Sequence, residues 1–243
     1  MERGRAPHSF AARMHFGGTV APRTERLEAR SLAGVERKED RAAAAAEELR
    51  ALLGDRSQPA SRLTALFDGL DHERRVAVVR SLDRRTQRAL YERANGLGDV
   101  RLVDLVPPAR APLEEVRHLG LNTLPAFRVF EKRFCRLPDA PPEDPGALAG
   151  YNFQAMQPVT GPGYFVAVED ENTREVLVDY RRLPDTRPVD WPEIRSNERG
   201  LSRFVYGFMV DRLRRVSEHV TIGSASRKGR ELGSWFALAR ADA

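Results

Sequence analysis

Apolar and polar positions alternate most regularly in the last third of the chain, and that alternation predicts a sheet. Side chains on a strand point to opposite faces in turn. On that basis residues 151–157, 163–169, 174–180, 219–224 and 234–240 read as strands. Segments 163–169 (Tyr164, Val166 and Val168 against Phe165 and Ala167) and 234–240 (Trp235 against Phe236 and Leu238) are apolar on both faces. Such strands belong in the middle of a sheet covered on both sides. The others are one-sided: Tyr151 and Phe153 oppose Asn152 and Gln154, Val176 and Val178 oppose Glu175 and Asp179, and Val220 and Ile222 oppose His219 and Thr221. Polar turn residues at 169–173 and 226–230 predict two hairpins. Between them, residues 201–216 place Leu201, Phe204, Val205, Phe208, Leu213 and Val216 at helical spacing, which predicts a helix packed on the sheet. The preceding loop, 183–200, carries Pro184, Pro188 and Pro192 around Trp191. A tryptophan in a proline-braced loop predicts that the loop folds back onto the core.

Upstream the pattern is helical. Residues 36–53 contain an alanine-rich run of high helix propensity with Gly54 at its end. Its apolar stripe is mostly alanine until Leu49, Leu52 and Leu53, which suits weak docking or pairing with a partner helix. Leu63, Leu66, Phe67 and Leu70 lie on one face of a second helix. Asp71 and Asp83 stand where N-caps belong, ahead of helices over 74–82 and 84–94. Residues 100–105 alternate like a short edge strand, and Pro107, Pro108 and Pro112 then mark a hinge. Residues 113–119 read as a short helix stopped by Gly120. A further helix begins near Pro125 and presents Phe127, Phe130 and Phe134 on one face. Residues 1–35 show no sustained periodicity and read as disordered.

The expected organisation is therefore a disordered segment (1–35), a helical region (36–100) and an α+β core domain (113–243), with a mainly antiparallel sheet packed against helices. Each large apolar side chain buried there contributes about 1.5–3 kcal/mol before ordering entropy is subtracted.

Composition narrows the function classes. A charged fraction of 31% and an apolar fraction of 41% belong to a globular protein, and no apolar run approaches the roughly 20 residues of a membrane span. Arginines interrupt the first 30 residues, which argues against a secretory signal. The single cysteine, Cys135, excludes an internal disulfide and suits a reducing, cytoplasmic setting. The net charge of +5 comes from arginines scattered among acidic residues, without the clustered basic face that nucleic acid requires. An arginine-rich aromatic stretch at 127–136 has the composition of a membrane-surface helix, but arginine stems covering the edges of a core face explain it more simply.

The chemical motifs are sparse. Thr160-Gly161-Pro162-Gly163 reads as a turn, and the string from Gly223 to Gly229 has the residues of a phosphate loop without its spacing. The five histidines have no metal-ligand spacing, so no metal or cofactor is expected. Cys135 reads as a buried thiol. One constellation stands out: Asn152, Gln154, Asp179, His219 and Thr221 would share one side of the sheet if their strands were oriented alike. With Tyr164 and Trp191 they make the expected ligand-binding set. Asp179 and His219 are the candidate catalytic pair, since a histidine with a carboxylate partner can act as a general base. The leading expectation is a non-catalytic binding domain for a small apolar or lipid-like ligand, joined to a helical assembly region. The alternatives are a hydrolase or isomerase using Asp179 and His219, and a protein–protein interaction module that pairs through residues 36–53.

Overall fold

The computed structural model describes residues 40–242, and the segment expected to be disordered lies outside them. The helical region contains α1 (residues 40–54), α2 (Ser61–Asp68), α3 (His72–Ser81) and α4 (Arg84–Ala94). Asp71 accepts a hydrogen bond from the Arg74 amide at 2.9 Å and Asp83 from the Thr86 amide at 2.7 Å. Each thereby satisfies one of the orphan donors of its helix, as the sequence pattern predicts.

Most of the remaining described residues form a closed antiparallel barrel. Its eight strands are β1 (Val116–Asn122), β2 (Val129–Arg136), β3 (Leu148–Phe153), β4 (Tyr164–Asp170), β5 (Glu175–Asp179), β6 (Met209–Arg215), β7 (Val220–Arg227) and β8 (Arg230–Arg240). Each strand pairs with its sequence neighbour, and β1 pairs with β8, so the sheet has no free edge. The expected antiparallel sheet against helices is present, in the more specific form of a barrel.

Three expected helices are corrected. Residues 113–119 and 125–136 run into β1 and β2, and the second half of 201–216 is β6, preceded by a short helix (Ser202–Val205). Conversely, the expected edge strand at 100–105 is a helical turn, α5 (Leu102–Leu105), begun by the Asp104 carboxylate on the Arg101 amide at 2.8 Å.

The barrel interior is one apolar cluster that includes Phe130, Phe134, Phe165, Val176, Val178, Leu213, Phe236 and Leu238. At one end α5 closes the barrel, because Val100, Leu102, Leu105 and Val106 pack into this same cluster. The buried His118 ring donates from Nε2 to the Leu105 carbonyl at 2.9 Å and ties the plug to β1.

Glycines on the inner face make room for rings. A Cβ at Gly150 would lie 2.3 Å from the Phe165 ring and 2.6 Å from the Arg133 carbonyl oxygen, a backbone atom that cannot yield. Gly150→Ala should therefore lower stability by about 1–3 kcal/mol. Gly54→Ala, where nothing lies within 4 Å, is the matched control and should be neutral in the same melting experiment.

Two layers cover the outside. Val216, Val220, Ile222, Ala237 and Ala239 pack against the helices together with Leu49, Leu52, Leu63, Phe67, Val78, Val79 and Leu90. The face of α1 that carries Leu49 and Leu52 is thus buried within the chain itself. On the other side, the long β5–β6 loop brings Trp191 onto Cys135, Ala149, Tyr151 and Tyr164. Its indole donates to Glu115 at 2.7 Å, and Trp191 is 4% exposed. The loop folds back as expected, onto the outer face of β2–β4.

Candidate functional site

The end of the barrel away from α5 is framed by the β1–β2, β3–β4, β5–β6 and β7–β8 connections, and a cavity of about 310 Å³ opens there. That volume lies at the small end of the range for ligand pockets. Phe130, Tyr206, Met209, Ala225 and Phe236 form its walls, and Leu124, Phe204 and Leu232 its rim. Phe204 is 74% exposed at the mouth.

A turn holds one wall in place. Gly161 and Gly163 have φ of 77° and 59°, the left-handed region that favours glycine. A Cβ at Gly163 would fall 2.5 Å from the Tyr206 ring. The ring can therefore lie against this turn, stacked on Tyr180 at 5.4 Å, and its hydroxyl accepts from Gln154 Nε2 at 2.7 Å.

The cavity floor is polar. Lys132 on β2 and Asp211 on β6 approach across the barrel, with Nζ 2.9 Å from Oδ2, and are 1% and 2% exposed. Lys132 also donates to Asn152 Oδ1 at 3.2 Å and, through a very short bond, to the Tyr180 hydroxyl. Asn152 Nδ2 donates to that hydroxyl at 2.7 Å, and the hydroxyl donates to Asp211 Oδ2 at 3.2 Å. Around the ammonium stand the rings of Phe236, Tyr180 and Phe165, at 4.8, 5.0 and 5.2 Å from their centroids, which favour a cation. Burial pushes the Lys132 pKa down, and the Asp211 charge partly offsets this. Burial and the same carboxylate push the Tyr180 phenol well up, so it stays protonated. Asp211 Oδ1, although buried, has no hydrogen-bond partner among the described residues.

Of the expected ligand-binding residues, Asn152 and Gln154 line this cavity. The others are elsewhere. Tyr164 and Trp191 pack together on the outer face, and Tyr164 donates to the Pro192 carbonyl. Thr221 pairs in register with Leu238, an interior residue, toward the closed end of the barrel. The expected common side is corrected at Asp179, because Val176 and Val178 take the inward positions of β5, while Thr221 shares the inner face with Asn152 and Gln154 but at the other end. Asp179 pairs with Val210 near the open end, whereas His219 precedes Val220 at the closed end. Asp179 holds Arg181 at 2.8 Å. Burial raises its pKa, but the arginine outweighs that and holds it below the usual carboxylate value. His219 meets Arg240 and Asp242, at 3.3 and 3.4 Å, and its pKa is lowered by burial and by Arg75 and Arg240. The two therefore do not form a catalytic pair. Cys135 is buried, and burial pushes its thiol up to about 12, which leaves it protonated and unreactive.

The sequence reading missed Lys132, Tyr180, Tyr206, Asp211 and Phe236. One signal was present: Lys132 is one of only three lysines among 40 basic residues. It falls between Phe130 and Phe134, where a compact ammonium fits and a planar guanidinium is harder to house. Among the described residues no group of three or more His, Cys, Asp or Glu is placed to hold a metal ion, and no helix is long and apolar enough to cross a membrane. Comparison with protein-family models, curated proteins and solved structures found no match to this chain.

Proposed function

We propose that the barrel binds a small, mostly apolar molecule in the cavity at its open end, with the Lys132–Asp211–Tyr180–Asn152 cluster as the polar contact. The observation that carries this reading is the combination of an apolar-walled cavity of about 310 Å³ with a buried charged floor. Ligand sites of this kind gain affinity from apolar walls and orientation from a few convergent polar groups. A barrel used only as a scaffold would gain from filling that space, because an empty cavity forfeits packing. The rim of Phe204, Leu124 and Leu232 gives an apolar molecule an apolar surface to follow from solvent to the walls.

The test uses the neutral fluorophore N-phenyl-1-naphthylamine. Its emission should rise on mixing and saturate. Ala225→Phe, which fills the cavity, should abolish the emission rise while its melting transition stays cooperative. An absent rise, or a rise that survives in a folded Ala225→Phe protein, would overturn the proposal.

A further inference from the structure

We infer that the group entering first, at the bottom of the cavity, is a neutral hydrogen-bond donor, and that the ligand is an apolar molecule carrying a hydroxyl that binds Asp211 Oδ1. This rests on the proposed binding role of the cavity and specifies its ligand class.

The argument is an inventory of the floor. A lysine ammonium has three donors, and Lys132 spends them on Asn152 Oδ1, the Tyr180 hydroxyl and Asp211 Oδ2. The Tyr180 hydroxyl accepts from Lys132 and Asn152 and donates to Asp211. Asn152 accepts from Lys132 and donates one of its two amide hydrogens to Tyr180. The one floor atom left with no partner at all among the described residues is the buried carboxylate oxygen Oδ1 of Asp211. A free carboxylate oxygen can only accept. Left unmet in a buried site it costs the desolvation of a charged acceptor, so a ligand that donates to it gains more than a ligand that merely fills the space.

Charge selects among donors. The floor is already balanced, with one ammonium against one carboxylate. A cationic ligand would bring a second, unmatched positive charge into a buried apolar site, and a carboxylate ligand would face Asp211 Oδ1 with like charge. A hydroxyl meets the oxygen and leaves the balance intact. The next inward charge on the way out is Arg227, in register with Met209 at the mouth, where its Nη2 donates to the Phe204 and Val205 carbonyls. It adds positive charge to the route and further disfavours an alkylammonium.

The test displaces bound N-phenyl-1-naphthylamine with three molecules of matched length: 1-octanol, its isomer heptyl methyl ether, and octylammonium. The alcohol should compete about tenfold or more better than the ether, which fills the same volume but cannot donate. Octylammonium should be weaker than the alcohol. In a Lys132→Met/Asp211→Leu protein, which removes the acceptor, the ratio of alcohol to ether competition, read against that protein's own affinity for the fluorophore, should fall to about one. Equal competition by alcohol and ether in the parent protein would overturn the inference, and would mean that water alone meets Asp211. Tighter binding of octylammonium would overturn it in favour of a cationic ligand. Failure of the fluorophore to bind at all would instead overturn the binding role itself, and the inference with it.

Discussion

Lys132→Met should destabilise the protein by about 3–5 kcal/mol, because it leaves the Asp211 carboxylate buried without its counter-charge. Asp211→Leu should cost a similar amount by stranding the ammonium. The double variant should recover most of the loss, since replacing a buried ion pair with apolar groups of similar volume is commonly neutral or stabilising. Tyr180 and Asn152 would still bond each other at 2.7 Å in that protein. Urea denaturation of the four proteins at neutral pH gives the coupling directly as a double-mutant cycle. Additive losses, or single-variant losses below about 1 kcal/mol, would refute the description of the floor as a coupled, dry ion pair. The pair joins β2 to β6, strands half a circuit apart in an eight-stranded barrel, so its loss should also loosen the walls that define the cavity.

Stability should fall steeply below pH 6.5 through His118. Burial, aided by the charges of Arg240 and Lys132, lowers its pKa from 6.5 to about 3, against a smaller raising effect of the Leu105 carbonyl. Between those values the unfolded chain takes up a proton that the folded protein refuses. The stability is therefore full above the unfolded pKa and is lost as pH falls toward the folded one. Near pH 3.5 this amounts to about 4 kcal/mol. His118→Gln retains an N–H for the Leu105 carbonyl and has nothing to titrate, so its stability should depend on pH less steeply by that amount. Following the imidazole by NMR provides a second readout: the His118 ring should stay neutral in the folded protein down to about pH 4. Equal pH slopes for both proteins, or a ring that titrates near 6.5, would show that the α5 plug is hydrated.

Local chemistry was legible where a residue's role depended on its near neighbours. The caps at Asp71 and Asp83 are of this kind, since the acceptor and the amide it serves are three residues apart. The β4–β5 and β7–β8 hairpins are another case, with polar turns between apolar alternations. The docking of the Trp191 loop followed from a large aromatic among prolines. For the site, the alternation picked out Asn152 and Gln154 as the polar face of β3, and that face proved to be the inner one.

The strands that read as helices explain most of what was missed. In β2 the inward positions are Phe130, Lys132 and Phe134; in β6 they are Met209, Asp211 and Leu213. A charge in the middle of each apolar face breaks the period of two, and the remaining apolar residues then fall at spacings of three and four. Gly120 had a similar effect in β1. It reads as a helix stop, yet a Cβ there would meet Leu238 and Phe130 at 2.7 and 2.9 Å, so it is the space those side chains need.

The sequence by itself determined the short-range features: helices with their caps, hairpins, and strands whose two faces differ. Only the tertiary structure decided that the sheet closes, which face is inside, and which charges meet. The physical reason is separation along the chain. Lys132 and Asp211 are 79 residues apart, and each alone violates the apolar pattern of its strand. The violation is stable only when closure of the barrel brings the two opposite charges within 2.9 Å in a site from which water is largely excluded.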